Sequence, residues 1–283
     1  MERGVLTDTV VLQGASRPLA VCLALLLPVA SAVAESPGTL AWKLDQSVGV
    51  VDSQWREKTP DGVTHVKEGG QLQFAATVLT ASHPLVDVTV RHLQLRGHRL
   101  YEGVTNQGHS ATSMSEVRNG TLGLSVLKRA SPSWTFDAAI DRVSMQRDIR
   151  STAMAVGYSE RYEYTMGTLG IQHQLGLLSG LDLLTHLSIG RSFDEGLLVS
   201  LPGFDPAQMK MGQGRTTGIS WQLVKYFSDS KWRASLKLGY VKDEFKSGDA
   251  ITLFKGGRIA GSAQQPAWHH AATQLSAKVS YDF

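Results

Sequence analysis

Hydrophobic and polar residues alternate with a period of two along much of this chain. The alternation is clearest in residues 271–283, where the odd positions are apolar and the even positions are polar. A β-strand turns successive side chains to opposite faces, so one face of this segment meets an apolar medium and the other meets polar groups.

Ten segments with this pattern are predicted, each about as long as a tilted membrane strand or somewhat longer. They cover roughly residues 40–57, 65–79, 85–98, 114–128, 134–147, 158–175, 181–193, 215–226, 232–245 and 271–283. In the second segment we assign the apolar face with Leu72 and Phe74 to lipid, and Gln73 to the interior. In the third, the alternation slips near Arg91 and His92, which predicts a bulge.

The connections between the segments alternate in length. Short turns rich in Gly, Ser, Pro or Asp fall at 80–84, 129–133, 176–180 and 227–231, and longer connections at 58–64, 99–113, 148–157, 194–214 and 246–270. After Ala34 no apolar run approaches the roughly 18 residues of a spanning helix. The predicted fold is therefore all-β, a single antiparallel up-and-down transmembrane barrel of about ten strands, with twelve as the alternative, short periplasmic turns and long extracellular loops.

The last strand resembles the closing strand of Gram-negative outer-membrane β-barrels, in which a terminal Phe after alternating hydrophobic residues is recognised by the assembly machinery. By this resemblance Tyr281 and Phe283 form an assembly signal. The implied location is the outer membrane, as a multi-pass barrel. The implied partners are the assembly machinery, outer-membrane lipid and lipopolysaccharide.

The start of the chain is typical of a protein exported to that compartment. Residues 18–33 are apolar and end in the small-x-small pattern Ala32-Val33-Ala34, which predicts a cleaved signal peptide over 1–34 and a barrel domain over 35–283. Cys22, the single cysteine, lies within this leader, so no disulfide is expected in the mature chain. A lipoprotein cleaved before Cys22 is the alternative. The formal net charge of +3 argues against a nucleic-acid partner.

Polar residues on the inward faces of the strands are expected to form a network. Eight strands already fill a barrel interior with side chains, and wide channels need about sixteen. A filled, self-satisfied lumen is the main expectation, and a narrow path for a solute or ion is the alternative. The candidate network consists of Asp137, Asp141, Asp182, His186, Arg233, Lys237 and Lys278.

Two features of the chain resemble those of outer-membrane enzymes. His186 and Ser188 share a strand face, which resembles the nucleophile and base of outer-membrane lipid hydrolases. In that family the pair faces lipid, where the substrate is. Here Leu187 and Ile189 occupy the lipid face, so His186 and Ser188 are expected to point inward. The ten strands and the length resemble the omptin surface proteases, a family that carries Asp-x-Asp and Asp-x-His pairs at the extracellular rim. Neither motif occurs in this chain, so the resemblance covers architecture only and no catalytic residue is assigned.

Two further groups of residues lie near the predicted extracellular ends of the strands. The histidines could bind a transition metal of unknown identity or respond to acid; they are His65, His98, His109, His269 and His270. The arginines could contact lipopolysaccharide phosphates; they are Arg96, Arg99, Arg147, Arg150, Arg161, Arg191 and Arg215.

The sequence thus predicts a non-enzymatic integral barrel without cofactors, with a structural, surface-binding or narrow-conduction role. A rim hydrolase acting on peptide or lipid is the alternative. A metal- or surface-binding loop module is the second alternative.

Overall fold

The computed structural model describes residues 40–59, 62–84, 86–104, 109–153, 155–228 and 230–283. The predicted signal peptide lies outside these residues. The described residues form thirteen strands, which are β1 (Ala41–Lys58), β2 (Thr64–Ser82), β3 (Val86–Val104), β4 (Ser110–Arg129), β5 (Trp134–Ile149), β6 (Tyr158–Leu178), β7 (Leu181–Ser200), β8 (Ala207–Lys210), β9 (Gly214–Tyr226), β10 (Trp232–Phe245), β11 (Ala250–Lys255), β12 (Arg258–Gln264) and β13 (Ala267–Asp282). Within them no helix is long and apolar enough to cross a membrane.

Ten of these strands close into an antiparallel barrel. Around the ring the order is β1, β2, β3, β4, β5, β6, β7, β9, β10 and β13, and β13 pairs again with β1. Among the described strands, β8 pairs with the outer part of β7 alone, and β11 and β12 form a separate hairpin. The ten-stranded prediction is confirmed, and the twelve-stranded alternative is wrong because the additional strands stand outside the ring.

The barrel wall is apolar on its outside only over part of its height. Next to the short turns, the outward positions include the exposed side chains of Trp42, Val48, Leu169 and Leu236. Further along the same strands the outward positions become polar, for example Asp52, Gln54 and Arg56 on β1, Arg161 and Glu163 on β6, and Lys242 and Glu244 on β10. A closed barrel with an apolar outer band spans a membrane, and this fold places the protein in the outer membrane.

The strands are longer than the membrane requires. β1 has 18 residues and β6 has 21, whereas about 9–11 residues cross a bilayer as a tilted strand. The wall therefore continues beyond the apolar band on the side of the long connections. Much of what the sequence assigned to extracellular loops, including 99–104 and 194–200, is barrel wall.

The orientation predicted for the second strand is wrong. Leu72 and Phe74 are buried in the lumen and Gln73 is exposed on the outside. The facing Gly49 leaves room for this arrangement, because a Cβ on Gly49 would stand 2.5 Å from Cε1 of Phe74. An apolar lumen, which the sequence did not anticipate, accepts the apolar face.

The bulge predicted near Arg91 and His92 is also absent from the described pairing. β3 keeps a continuous register there with both β2 and β4. Arg91 points inward and pairs with Asp141, which explains the polar residue at an inward position. His92 therefore points outward.

Candidate functional site

Five aromatic side chains fill the lumen in the part of the barrel beyond the apolar band. Trp268 stacks on Trp55 and on Phe245, each with ring centroids 4.0 Å apart. Tyr162 meets Trp55 edge-on at 5.7 Å, and Tyr164 meets Phe245 at 5.0 Å. We call these five residues the aromatic plug. β1 and β6 stand opposite each other in the ring, so the Trp55–Tyr162 contact bridges the whole lumen.

A group of charged residues is buried beside the aromatic plug. It consists of Glu57, Glu68, Arg99, Arg147 and Glu160, which we call the ionic cluster. Nη1 of Arg147 lies 2.6 Å from Oε1 of Glu57 and 3.7 Å from Glu68, and Nε lies 2.8 Å from Glu160. Nη1 of Arg99 lies 3.6 Å from Glu68. The contact between Arg147 on β5 and Glu57 on β1 also crosses the lumen.

The ionic cluster and the aromatic plug are bonded to each other. Nε1 of Trp55 donates to Glu57 at 2.9 Å, and the hydroxyl of Tyr162 donates to Glu160 at 2.8 Å. The guanidinium of Arg147 lies 5.4 Å from the ring centroid of Trp55, within cation–π range. Removal of Trp55, Tyr162 or Arg147 would leave a buried carboxyl group without one of its partners.

Burial controls the charge of this cluster. With three carboxyl groups and two guanidinium groups, full ionisation would leave one negative charge in excess. Burial raises the pKa of Glu160 to about 7, against the attraction of Arg147. Burial lowers the pKa of Arg99 to about 10. Burial alone would also lower the pKa of Arg147, but Glu160 and Glu57 raise it well above its ordinary value. A proton on Glu160 brings the cluster to neutrality.

The raised pKa of Glu160 makes the stability of the barrel depend on pH. The folded state holds the Glu160 proton up to a pH of about 7, whereas an unfolded chain releases it near 4.3. The stabilisation is therefore complete below the unfolded pKa and is lost as pH rises through 7. We expect the free energy of unfolding in detergent to fall by ~1–3 kcal/mol across this interval.

The variant Glu160→Gln tests this dependence, because its amide oxygen still accepts from Tyr162 and does not titrate. Urea unfolding at several pH values is expected to show a flatter profile for this variant than for wild type. Glu163→Gln, on the outward face of the same strand, is the control and keeps the wild-type profile. Equal slopes in wild type and Glu160→Gln would contradict the assignment.

Ser53, His270 and Asp243 form a hydrogen-bonded chain at the edge of the ionic cluster. Oγ of Ser53 lies 2.9 Å from Nε2 of His270, and Nδ1 of His270 lies 3.0 Å from Oδ2 of Asp243. The order and distances are those of a serine hydrolase triad. However, Ser53 is completely buried, and its Oγ accepts a hydrogen bond from Arg99 at 2.7 Å. In this arrangement Ser53, His270 and Asp243 form a structural network, and a substrate cannot reach Ser53 Oγ.

The polar residues predicted for the lumen all stand at inward strand positions, in several small groups. Asp137 lies 2.8 Å from His186 and Asp141 lies 2.9 Å from Arg91. The side chain of Gln174 donates to Asp182 at 2.7 Å, and Lys278 lies 3.3 Å from Asp45. Arg233 pairs with Asp282, and Lys237 forms no ion pair within the described residues. Most of these charges are satisfied within the lumen.

The pair His186 and Ser188 also points inward. Nε2 of His186 is bonded to Asp137, and no hydrogen bond joins His186 to Ser188 in the described part of the chain. The two residues therefore do not form a nucleophile and base in this structure.

The five histidines of the predicted metal or pH-sensing group are separated. His65 lies 3.8 Å from Glu57, His269 lies 3.4 Å from Glu244, and His270 belongs to the chain with Ser53. His98 is on the outer wall and His109 precedes β4. Consecutive residues of a strand face opposite sides, which sends His269 outward and His270 inward. In the described ranges no three His, Asp or Glu side chains are arranged to hold a metal.

The arginines proposed to contact lipopolysaccharide are also divided between the lumen and the outer wall. Arg99 and Arg147 are buried in the ionic cluster, so for them the prediction is wrong. Arg191 and Arg215 face outward just beyond the apolar band. They line a groove of about 540 Å³ together with Lys246, His269 and Glu244. Arg215 pairs with Glu244, which leaves the groove with an excess of positive charge.

The residues proposed as the assembly signal close the barrel at its other end. The rings of Tyr281 and Phe283 meet edge-on at 5.1 Å, and Trp232 packs on Tyr281 at 4.7 Å. The backbone N–H of Phe283 donates to the carbonyl of Trp42 at 2.9 Å. The last residue is thus joined to the first barrel strand.

No family model and no curated protein sequence matches the chain. Among solved structures, the outer membrane protease OmpT from Escherichia coli is similar with a TM-score of 0.57 and 9% identity, over 86% of this chain and 97% of OmpT. The translocator domain of autotransporter NalP from Neisseria meningitidis gives 0.46 and 11% identity, over 94% and 98%. The beta domain of the Bordetella autotransporter Brka gives 0.41 and 8%, over 83% and 99%.

Proposed function

The chain has the fold of Gram-negative outer-membrane β-barrels, as its closing strand led us to expect. Within this class we propose that it is a non-enzymatic barrel with a sealed lumen, which holds its protruding wall at the cell surface as a binding platform. The observation that carries the proposal is the pair of contacts across the lumen, Trp55 with Tyr162 and Arg147 with Glu57.

Solute uptake by liposomes containing the folded protein tests the proposal. Swelling in small sugars and amino acids is expected to match that of empty liposomes, because contacts of the aromatic plug and the ionic cluster bridge the lumen. A general porin in the same lipid is the positive control. Swelling well above the empty-liposome rate would refute the sealed lumen.

The partner that we propose for the outer wall is lipopolysaccharide. Guanidinium and ammonium groups suit its phosphates, and the groove of Arg191, Arg215 and Lys246 stands where the apolar band ends. The amount of lipopolysaccharide that remains with the purified protein, compared between wild type and Arg191→Ala, measures this contact. An unchanged amount would argue against it.

Hydrolysis is the second candidate function, favoured by the geometry of Ser53, His270 and Asp243. In it Ser53 Oγ would attack the carbonyl carbon of an ester or amide, and His270 would take the Oγ proton and pass it to the leaving group. Water would then release the acyl group from Ser53, with Asp243 stabilising the imidazolium. The reaction requires a movement that uncovers Ser53 and displaces Arg99.

A fluorophosphonate probe distinguishes the two functions. We expect no labelling of the folded protein, because Ser53 is completely buried. Labelling of wild type that is lost in Ser53→Ala would establish a reactive serine and overturn the non-enzymatic proposal.

A further inference from the structure

A polar patch interrupts the apolar band on the outside of β1, β2 and β3. It consists of Gln46, Thr77, His92 and Gln94, which we call the polar stripe. Thr77 is the cross-strand neighbour of both Gln46 and His92, so these three residues form a row across the strands. Gln94 lies two residues from His92 on the same face. The outer face of β2 carries polar residues such as Gln73 and Thr77 because the apolar residues Leu72 and Phe74 face the lumen.

The polar stripe lies within the part of the wall that meets lipid. It is surrounded by apolar side chains that are themselves open to the outside, with Val48 63% exposed, Leu79 41%, Val90 47% and Leu122 52%. Leu122 is the cross-strand neighbour of His92 on the side away from β2. The stripe is therefore not part of the charged wall that protrudes beyond the band.

The polar stripe has few hydrogen bonds of its own. Thr77 Oγ1 donates to Gln46 Oε1 at 3.0 Å. The side-chain nitrogen of Gln46, the ring of His92 and the amide of Gln94 have no side-chain partner among the described residues. Hydrocarbon chains offer no hydrogen bond, so polar groups in this position need another protein surface.

The surface around the stripe allows a close approach. A groove of about 440 Å³ runs along it and is lined by the small residues Ala75 and Ala277 as well as by the stripe. In membranes small residues let two backbones come close, and amide or imidazole groups then bond across the contact.

We propose that the polar stripe is the interface through which two copies of this chain associate as a two-fold symmetric dimer in the outer membrane. Glutamine carries both donors and acceptors, so Gln46 and Gln94 can bond to the same residues of a second copy. An interface that uses one patch on both subunits closes at two. The opposite side of the ring is apolar towards lipid, as at Leu187 and Ile189.

Cross-linking in the membrane tests the dimer. Ala75→Cys, in a Cys22→Ser background, is treated with a short bis-maleimide in outer-membrane vesicles, and Leu187→Cys on the opposite wall is the control. We expect a covalent dimer of this chain for Ala75→Cys and not for Leu187→Cys. Equal yields at the two positions, or a cross-link to a different protein at Ala75→Cys, would overturn the proposal.

A second measurement separates loss of association from loss of folding. Gln46→Leu combined with Gln94→Leu is expected to weaken association at least ~10-fold in sedimentation equilibrium in detergent. The heat-modifiable band that reports the folded barrel should stay unchanged, because leucine suits a lipid-facing position. A wild-type protein that is monomeric over the whole concentration range, or a variant that associates as wild type does, would refute the interface.

Discussion

Replacing Arg147 by methionine is expected to lower the free energy of unfolding by about 3–5 kcal/mol, because it leaves buried carboxyl groups without their cation. Arg147 contacts Glu57 at 2.6 Å and Glu160 at 2.8 Å, and its side chain is completely buried. Methionine fills a similar volume, so the loss of stability measures the missing positive charge and not a cavity. Urea unfolding in detergent, followed by the shift of the folded band on unheated gels, measures it.

The matched control is Arg118→Met. Arg118 is bonded to Glu116 on the outer wall, and its side chain is 63% exposed. Exposed pairs contribute about 0–1 kcal/mol, so this variant should unfold almost as wild type does. A loss for Arg147→Met no larger than that of the control would show that the ionic cluster does not hold the barrel together.

Opening the lumen is the second large effect that we expect. Trp55→Ala with Trp268→Ala removes the stacked pair at the centre of the aromatic plug and also the hydrogen bond from Trp55 to Glu57. A cavity of this size costs about 3–5 kcal/mol for each tryptophan. The backbone pairing of the ten strands is independent of these side chains, so a folded barrel with a water path should result.

Conductance steps in planar bilayers are therefore expected for the double variant. Trp268→Ala alone, which removes the ring stacked on both Trp55 and Phe245, provides a milder variant should the double variant fold poorly. Trp232→Ala, exposed at the other end of the barrel, is the control and should stay silent. Folded variants that are as silent as the control would show that other side chains seal the lumen.

The strand order could be predicted from the sequence because hairpins leave local signals. The alternation up to Phe283 and the short turns at 129–133 and 227–231 determine how many strands there are and how they follow one another. The lengths of some strands could not be predicted. β3 continues to Val104, although the sequence predicts its end near residue 98. Its outward residues from His92 to His98 are polar, and a segment without an apolar outer face resembles a loop.

The orientation of a strand was predictable only where the lumen is polar. In β13 the inward residues Gln274 and Lys278 contrast with Leu275 and Val279 on the lipid side. The strand β2 has apolar surroundings on both sides, with lipid outside and the luminal core inside, because Leu72 and Phe74 pack into that core. Alternation separates the two faces of a strand but does not say which face meets lipid.

The ionic cluster could not be predicted from the sequence either. The sequence places Arg99 and Arg147 near the extracellular ends of the strands, as contacts for lipopolysaccharide, yet both lie at inward positions of strands and are buried. The available signal was the spacing of Trp55 and Glu57 and of Glu160 and Tyr162, which puts each aromatic on the same face as a carboxyl group. Their partners come from β3 and β5, and contacts across a lumen depend on the register of the whole ring, which no local pattern records.

Single-channel recording of the wild-type protein tests the sealed lumen most directly. Folded protein inserted in planar bilayers, with insertion verified by protease protection, is held at moderate voltages near neutral pH, alongside the double variant Trp55→Ala with Trp268→Ala. We predict no steps for wild type and resolved steps for the variant. Stable steps from wild type, equal to those of the variant, would contradict the account.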